Sequence, residues 1–145
     1  MIRPKYRVRL EDQDENIILR FLLWGEARNQ SVKGILAIAF VCKNRALVND
    51  TTIKYEALKF KQFSCFNPDD PNRRLMELST EGKQLVGWDR IDTLAGAFET
   101  LTILDPTEGA THYYNPKVVK PIWGEGHPRW KLHVVIGDHN FGIAG

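Results

Sequence analysis

The sequence predicts a mainly α (α+β) single domain, with a buried central helix and a small β or irregular portion at its C-terminal end. Three observations lead there. The stretch from Ile35 to Cys42 is apolar on every side and follows a helix N-cap signal at Ser31. Apolar residues at helical spacing recur before and after it. Beyond Pro106 the composition shifts to Gly, Pro, His and aromatic residues. With 145 residues and no internal repeat, low-complexity tract or linker, residues 1–145 read as one domain.

The elements follow in order. A first helix is expected from Asp14 to about Arg28, with Ile17, Ile18, Phe21, Leu22 and Trp24 on one stripe and acidic residues at its start. The central helix should run from Val32 to about Val48. A short helix is expected over Thr52 to Lys59, then Gln62 to Phe66 in extended or turn form, and a loop at Pro68 to Pro71. Two helices follow, near Asn72 to Gln84 and Ile91 to Leu104, broken by Gly87. His133 to Ile136 reads as a short strand before a Gly137-Asp138 turn.

Bulk properties exclude several classes. A hydrophobic fraction of 43% and a charged fraction of 26% are those of a globular chain, not a disordered one. A net charge of +2 and a pI near 8.6 suit an anionic surface but fall short of a nucleic-acid footprint. The basic start lacks an apolar core for an export signal, and the longest apolar run is well short of the ~20 residues of a membrane span. The expectation is a soluble monomer made in a cytoplasm. Two cysteines make no disulfide framework, and Cys42, inside the apolar run, should behave as a buried hydrophobe.

Glu26 is the first candidate for chemistry. It ends the apolar stripe of the first helix, between Trp24-Gly25 and Ala27-Arg28. A carboxyl half-removed from water has a raised pKa, the property of a general acid near neutral pH. The same position also suits an exposed glutamate near a helix end, or one paired with Arg28. A second cluster, Gly109 to Pro116, is echoed at Ile136 to Gly142, with Trp123 and Trp130 between. Aromatic faces beside hydroxyls and amides suit a sugar. They equally suit a small aromatic core.

Five segments in order resemble the SleB/CwlJ-type cell-wall hydrolases, a family of spore-cortex-lytic enzymes and phage or bacterial lysins. They are Trp24-Gly25-Glu26-Ala27-Arg28, the apolar helix ending in Asn44-Arg45, Gln62-Phe63-Ser64, His112-Tyr113, and Ile136-Gly137-Asp138-His139-Asn140-Phe141. The resemblance spans about 17–141. It implies a lysozyme-like fold, peptidoglycan as partner, no cofactor or metal, and cleavage between N-acetylmuramic acid and N-acetylglucosamine. It makes Glu26 the match to the catalytic glutamate. It also makes Gln62, Phe63, Ser64, Thr111, His112, Tyr113, Tyr114 and His139 the substrate-binding set, with His112 and His139 orienting neighbours. Relatives behave as lytic transglycosylases, in which one glutamate serves as acid and then base. Where relatives carry a second glutamate this chain has Gln30, which keeps size and hydrogen bonding.

Rival readings differ in class. A two-carboxylate muramidase would draw its second acid from Asp69, Asp70, Asp105, Glu108, Glu125 or Asp138, none of which a motif singles out. Cys65 before His112 has the order of a peptidoglycan endopeptidase, although Cys65 opens no obvious helix. A zinc amidase would need His112, His127, His133 or His139, without any HExxH pattern. A wall-binding or virion structural domain would have no use for a half-buried acid. The expected setting is a wall reached by phage lysin-like release, or a virion-associated enzyme.

Overall fold

Ser31 Oγ accepts the Gly34 amide at 3.1 Å and so caps α2 (Val32–Asn49), at the start that the sequence predicts. The helix stops at Asp50, in the left-handed region at φ 52°, where its amide turns back to the Ala46 and Leu47 carbonyls. Ile35, Ala37, Ile38, Ala39, Val41 and Cys42 are all fully buried, so neighbours cover this helix on every side. The computed structural model describes residues 1–59 and 63–145, and among them α2 is the central element.

Around it stand α1 (Glu15–Ala27), α3 (Ile53–Leu58), α4 (Pro71–Ser79) and α5 (Trp88–Thr100). α1 buries Ile17, Ile18, Phe21, Leu22 and Trp24, the stripe expected from their spacing. Phe21 meets the Trp88 ring edge-on at 5.6 Å, which ties α1 to α5. The same pair of helices shares a buried ion network. Arg20, 1% exposed, donates to Asp92 at 2.7 Å and to both carboxylate oxygens of Glu99 at 2.9 and 3.1 Å. Arg20→Met is expected to cost about 3 kcal/mol, because two carboxylates would lose the cation that offsets their desolvation. Urea unfolding measures the loss, and Asp92→Asn with Glu99→Gln in the same chain should recover part of it.

Two helices end earlier than their periodicity suggests. α4 begins on the Asp70 cap with Pro71 in its first turn, but stops at Ser79 instead of continuing to Gln84. There the Ser79 and Thr80 hydroxyls bond back to Met76 and Glu77, and Gly82 turns the chain at φ 99°. α5 starts at Trp88, directly after Gly87, and stops at Thr100 instead of Leu104. Leu101 and Leu104 are 63% and 91% exposed, so no packing rewards a further turn.

The C-terminal portion is a three-stranded antiparallel sheet in the order β1-β3-β2, from β1 (His112–Tyr114), β2 (Lys131–Ile136) and β3 (His139–Ile143). Only β2 was legible as a strand. Tyr113 pairs with Phe141, and Leu132 with Gly142, and the ladder slips between Leu132 and Val134. The Asn44-Arg45 pair of α2 holds this sheet to the helices. Asn44 Nδ2 donates to Asp105 at 2.8 Å and to the Ala110 carbonyl at 2.9 Å, and Arg45 Nε donates to the Thr111 carbonyl at 2.5 Å. Asp105 in turn collects the Thr107 amide and hydroxyl and the Gly109 amide, which shapes the loop entering β1. No helix among the described residues is long and apolar enough to cross a membrane.

Candidate active site

Glu26 stands in the last turn of α1, partly buried. Its position depends on Gly25. A Cβ at Gly25 would fall 2.5 Å from Cys65 Cβ and 2.7 Å from its Sγ, so the 3-10 turn Ser64–Phe66 lies directly on the helix end. That contact puts the backbone of Ser64 and Cys65, and the Ser64 side chain, where they hydrogen-bond the Glu26 carboxyl. Burial is the largest influence and pushes the carboxyl pKa up; the hydrogen bonds oppose it, and the nearby charge of Asp70 adds to it. The net shift is upward. Asp70 arrives here because α4 is anchored to the same helix end, with Asn72 Nδ2 donating to the Gly25 carbonyl at 3.2 Å.

Gly25→Ala is therefore expected to lower both Tm and activity, since the buried Cys65 cannot retreat and the turn carrying Ser64 must shift. Adding Cys65→Gly should restore much of each, as measured by thermal melts and turnover.

Arg28 does not pair with Glu26. Its guanidinium lies 4.0 Å over the Trp24 ring and donates to the Trp24 carbonyl at 2.9 Å and to Asn72 Oδ1 at 3.0 Å. It finishes the helix, and the acid is left facing a cleft.

That cleft holds about 480 Å³ and is lined by Glu26, Arg45 and Ser64 on the helical side. His112, Tyr113, Tyr114, Asn115, Val119, Pro121 and Trp123 line the other. Five of the expected site residues thus meet: Glu26, Ser64, His112, Tyr113 and Tyr114. Phe63, Thr111 and His139 stand behind them. Phe63 is 2% exposed and supports Arg45, whose guanidinium carbon is 5.3 Å from the ring centroid. Thr111 receives Arg45 through its carbonyl and bonds His112 Nδ1 through its hydroxyl at 2.9 Å. His139 meets the Tyr113 ring edge-on at 5.2 Å. Gln62 lies outside the described residues. Asn115 and Trp123 belong to the aromatic cluster that the sequence marks as suiting a sugar, whereas Arg45, Val119 and Pro121 are not among the expected site residues. For Arg45 there was a usable signal, a charged residue closing an otherwise apolar helix.

The aromatic residues form a wall beside the acid. Tyr114, Trp123 and Trp130 lie 5.5–5.7 Å from one another, and Trp123 is 4.9 Å from His112. Tyr114 Oη accepts the Glu125 amide at 3.2 Å and its ring, 5% exposed, backs the wall, while Trp123 is the more open of the two. Burial pushes the Tyr113 phenol up, and the Glu26 charge adds to this. Burial, assisted by Arg45, pushes His112 down to about 4, so the imidazole is neutral at ordinary pH. A neutral, hydrogen-bonded ring suits an orienting role.

Other chemistries find less support here. Cys65 is 1% exposed, and burial, with the charge of Glu26 adding, pushes its thiol well up; little nucleophilic thiolate would form near neutral pH. Among the described residues no three His, Cys, Asp or Glu side chains gather to hold a metal ion. His127 Nδ1 takes the Arg129 amide, and His133 Nδ1 lies 3.2 Å from the Thr107 carbonyl. Gln30, at the place of the relatives' second glutamate, has its Oε1 3.2 Å from where a Gly137 Cβ would sit, against the β2–β3 turn and outside the cleft lining.

Comparison with known proteins bears on the fold and the family. No curated protein matches the chain. The fold is similar to the crystal structure of the catalytic domain of the Bacillus cereus SleB protein, with a TM-score of 0.60 and 18% identity over 95% of this chain and 94% of that one. The family model for Cell Wall Hydrolase matches residues 29–142, a stretch that begins just after Glu26. Matched over most of its length, the chain belongs to the Cell Wall Hydrolase family.

Proposed function

We propose that this protein cleaves peptidoglycan glycan strands between N-acetylmuramic acid and N-acetylglucosamine as a lytic transglycosylase, with Glu26 as its acid and base. The observation that carries the reading is one carboxyl of raised pKa, facing a cleft walled by Tyr114 and Trp123. The aromatic wall takes the apolar faces of the sugars, while Ser64, Asn115 and the neutral His112 offer hydrogen bonds to their edges. Glu26, protonated, gives its proton to the glycosidic oxygen as the bond from that oxygen to muramic C1 breaks. The resulting carboxylate takes the proton of the muramic 6-hydroxyl as O6 bonds to C1. The proton returns to Glu26, a 1,6-anhydro ring forms, and no water is consumed.

A second reading rests on Asp70, whose charge reaches Glu26. With Asp70 as a base, water would attack C1 and leave a reducing end. Mass spectrometry of muropeptides released from purified sacculi separates the two. The expected product carries anhydro-muramic ends, 18 Da lighter than the hydrolysis product by the mass of one water (about 18 Da, the stoichiometry of glycosidase chemistry). Reducing muramic ends would overturn the transglycosylase reading. Release of peptides alone would overturn glycan cleavage.

A further inference from the structure

We propose that the rim of the cleft from Asn115 to Trp123 is a binding site for the peptide stems of the wall polymer, and that Lys117, Lys120 and Ile122 make the contacts. The proposal rests on the glycan-cleaving reading above and extends it from the sugars to what hangs from them. Three features of the rim point there. First, it forms one wall of the cleft through Asn115, Val119, Pro121 and Trp123, opposite Glu26 and Ser64. Second, it exposes apolar side chains that nothing in the fold uses: Ile122 is 92% exposed, Val118 75% and Val119 49%. Single exposed hydrophobics are ordinary, but three within five residues at the lip of a polymer cleft form a contact surface. Third, it is cationic. From Asn115 to Trp123 it carries Lys117 and Lys120 and no acid, whereas residues 1–110 balance sixteen basic side chains with sixteen acidic ones.

A glycan strand seated with its sugars against Trp123 in the cleft must project the lactyl-linked peptides of its muramic units past one rim or the other. Those stems combine carboxylates with small apolar side chains, which matches lysines interleaved with valine and isoleucine. The acids facing this rim do not already satisfy it. Lys117 has Asp138 at 3.9 Å, but the two side chains are 82% and 54% exposed, so the contact is screened and exchanges readily. Glu125 is exposed and meets the site through its amide, which donates to Tyr114 Oη. The fold also gives the rim a firm base, because Tyr114 and Pro121 close tightly on Gly124, where a Cβ would lie 3.0–3.2 Å from both.

The test uses the full chain on Gram-negative sacculi, which carry no teichoic acid, and on the same glycan after an amidase has removed the stems. Binding is read by co-sedimentation on sacculi and by fluorescence titration on the soluble stripped strands, and glycan products from both are separated by chromatography. Lys117→Ala with Lys120→Ala should weaken binding and raise KM about fivefold on peptide-bearing sacculi, from two exposed charge contacts, with kcat unchanged. Ile122→Ser should act in the same direction. Neither change should matter on stripped glycan, and Lys5→Ala, at a distant exposed lysine, should matter on neither. Equal affinity of the native protein for the two substrates would overturn the proposal. So would equal losses on both, which would make the lysines glycan contacts. If binding depends on the stems and on the lysines while no glycan product appears, the stem site stands and the glycan-cleaving reading falls.

Discussion

Glu26→Gln is expected to abolish release of soluble muropeptides, with turnover down at least ~10³-fold, while the protein stays folded and still sediments with sacculi. Glutamine matches the carboxyl in size and its Oε1 still accepts from the Ser64–Cys65 turn, but it has no acidic proton to give. Because one group serves both steps of the proposed reaction, its loss stops both. Activity in the native enzyme should persist above the ordinary glutamate range and fall as pH rises through the elevated pKa of Glu26. Stability should move the opposite way in the variant. A carboxyl whose folded pKa is raised contributes its full stability below the unfolded value of 4.5 and loses it as pH rises through the folded pKa. Removing the charge removes that loss, so Glu26→Gln should melt at or above the native temperature at pH 7 and show no such gain at pH 4. Full activity in this variant would sink the assignment of Glu26. A gain in Tm confined to neutral pH would show that the site carries a desolvated acid at a cost to the fold.

Gly142→Ala is expected to be the most damaging single methyl group in the protein. Its Cβ would lie 2.0 Å from the Lys131 carbonyl oxygen and 2.8 Å from the Trp130 ring. The first of these is backbone, which cannot rotate away. Gly142 is paired on both sides, with His112 in β1 and Leu132 in β2, and its carbonyl takes the Thr111 amide at 3.0 Å. Relief therefore requires parting the sheet. A loss at the upper end of the ~1–3 kcal/mol typical of overpacking is expected. Activity should fall further than stability explains, because Trp130 packs on Tyr114 and Trp123 and β1 carries His112 and Tyr113. Tryptophan fluorescence and near-UV circular dichroism should change with the wall, while far-UV helix content holds. An alanine variant with native Tm and turnover would show that the close approach does not constrain the sheet.

Which elements are legible in the sequence follows the range of the forces that form them. α1, α2 and α3 were legible to within a residue or two, because caps at Ser31 and Thr52 and apolar spacing act within a turn or two of chain. α4 and α5 were placed but overextended, since the pattern does not register that Leu101 and Leu104 find nothing to bury against. β1 and β3 are not legible as strands: the partner of β1 lies some thirty residues away, and the histidine, asparagine, aromatic and glycine residues of β3 carry a weak local strand signal even though β2 pairs with it across a short turn.

By itself the sequence determined a mainly helical domain around one buried helix, the family through its ordered motifs, and Glu26 as the residue to test. Tertiary structure alone decided what surrounds that position, which is neither fully exposed nor paired with Arg28. Arg28 turns away to Trp24 and Asn72, and the Ser64–Phe66 turn closes over Gly25. Asp70 comes near enough to press the proton onto the acid. The physical reason is that a helix position fixes only the direction of a side chain. Its acidity depends on the water and charges around it, and here those come from segments forty residues away.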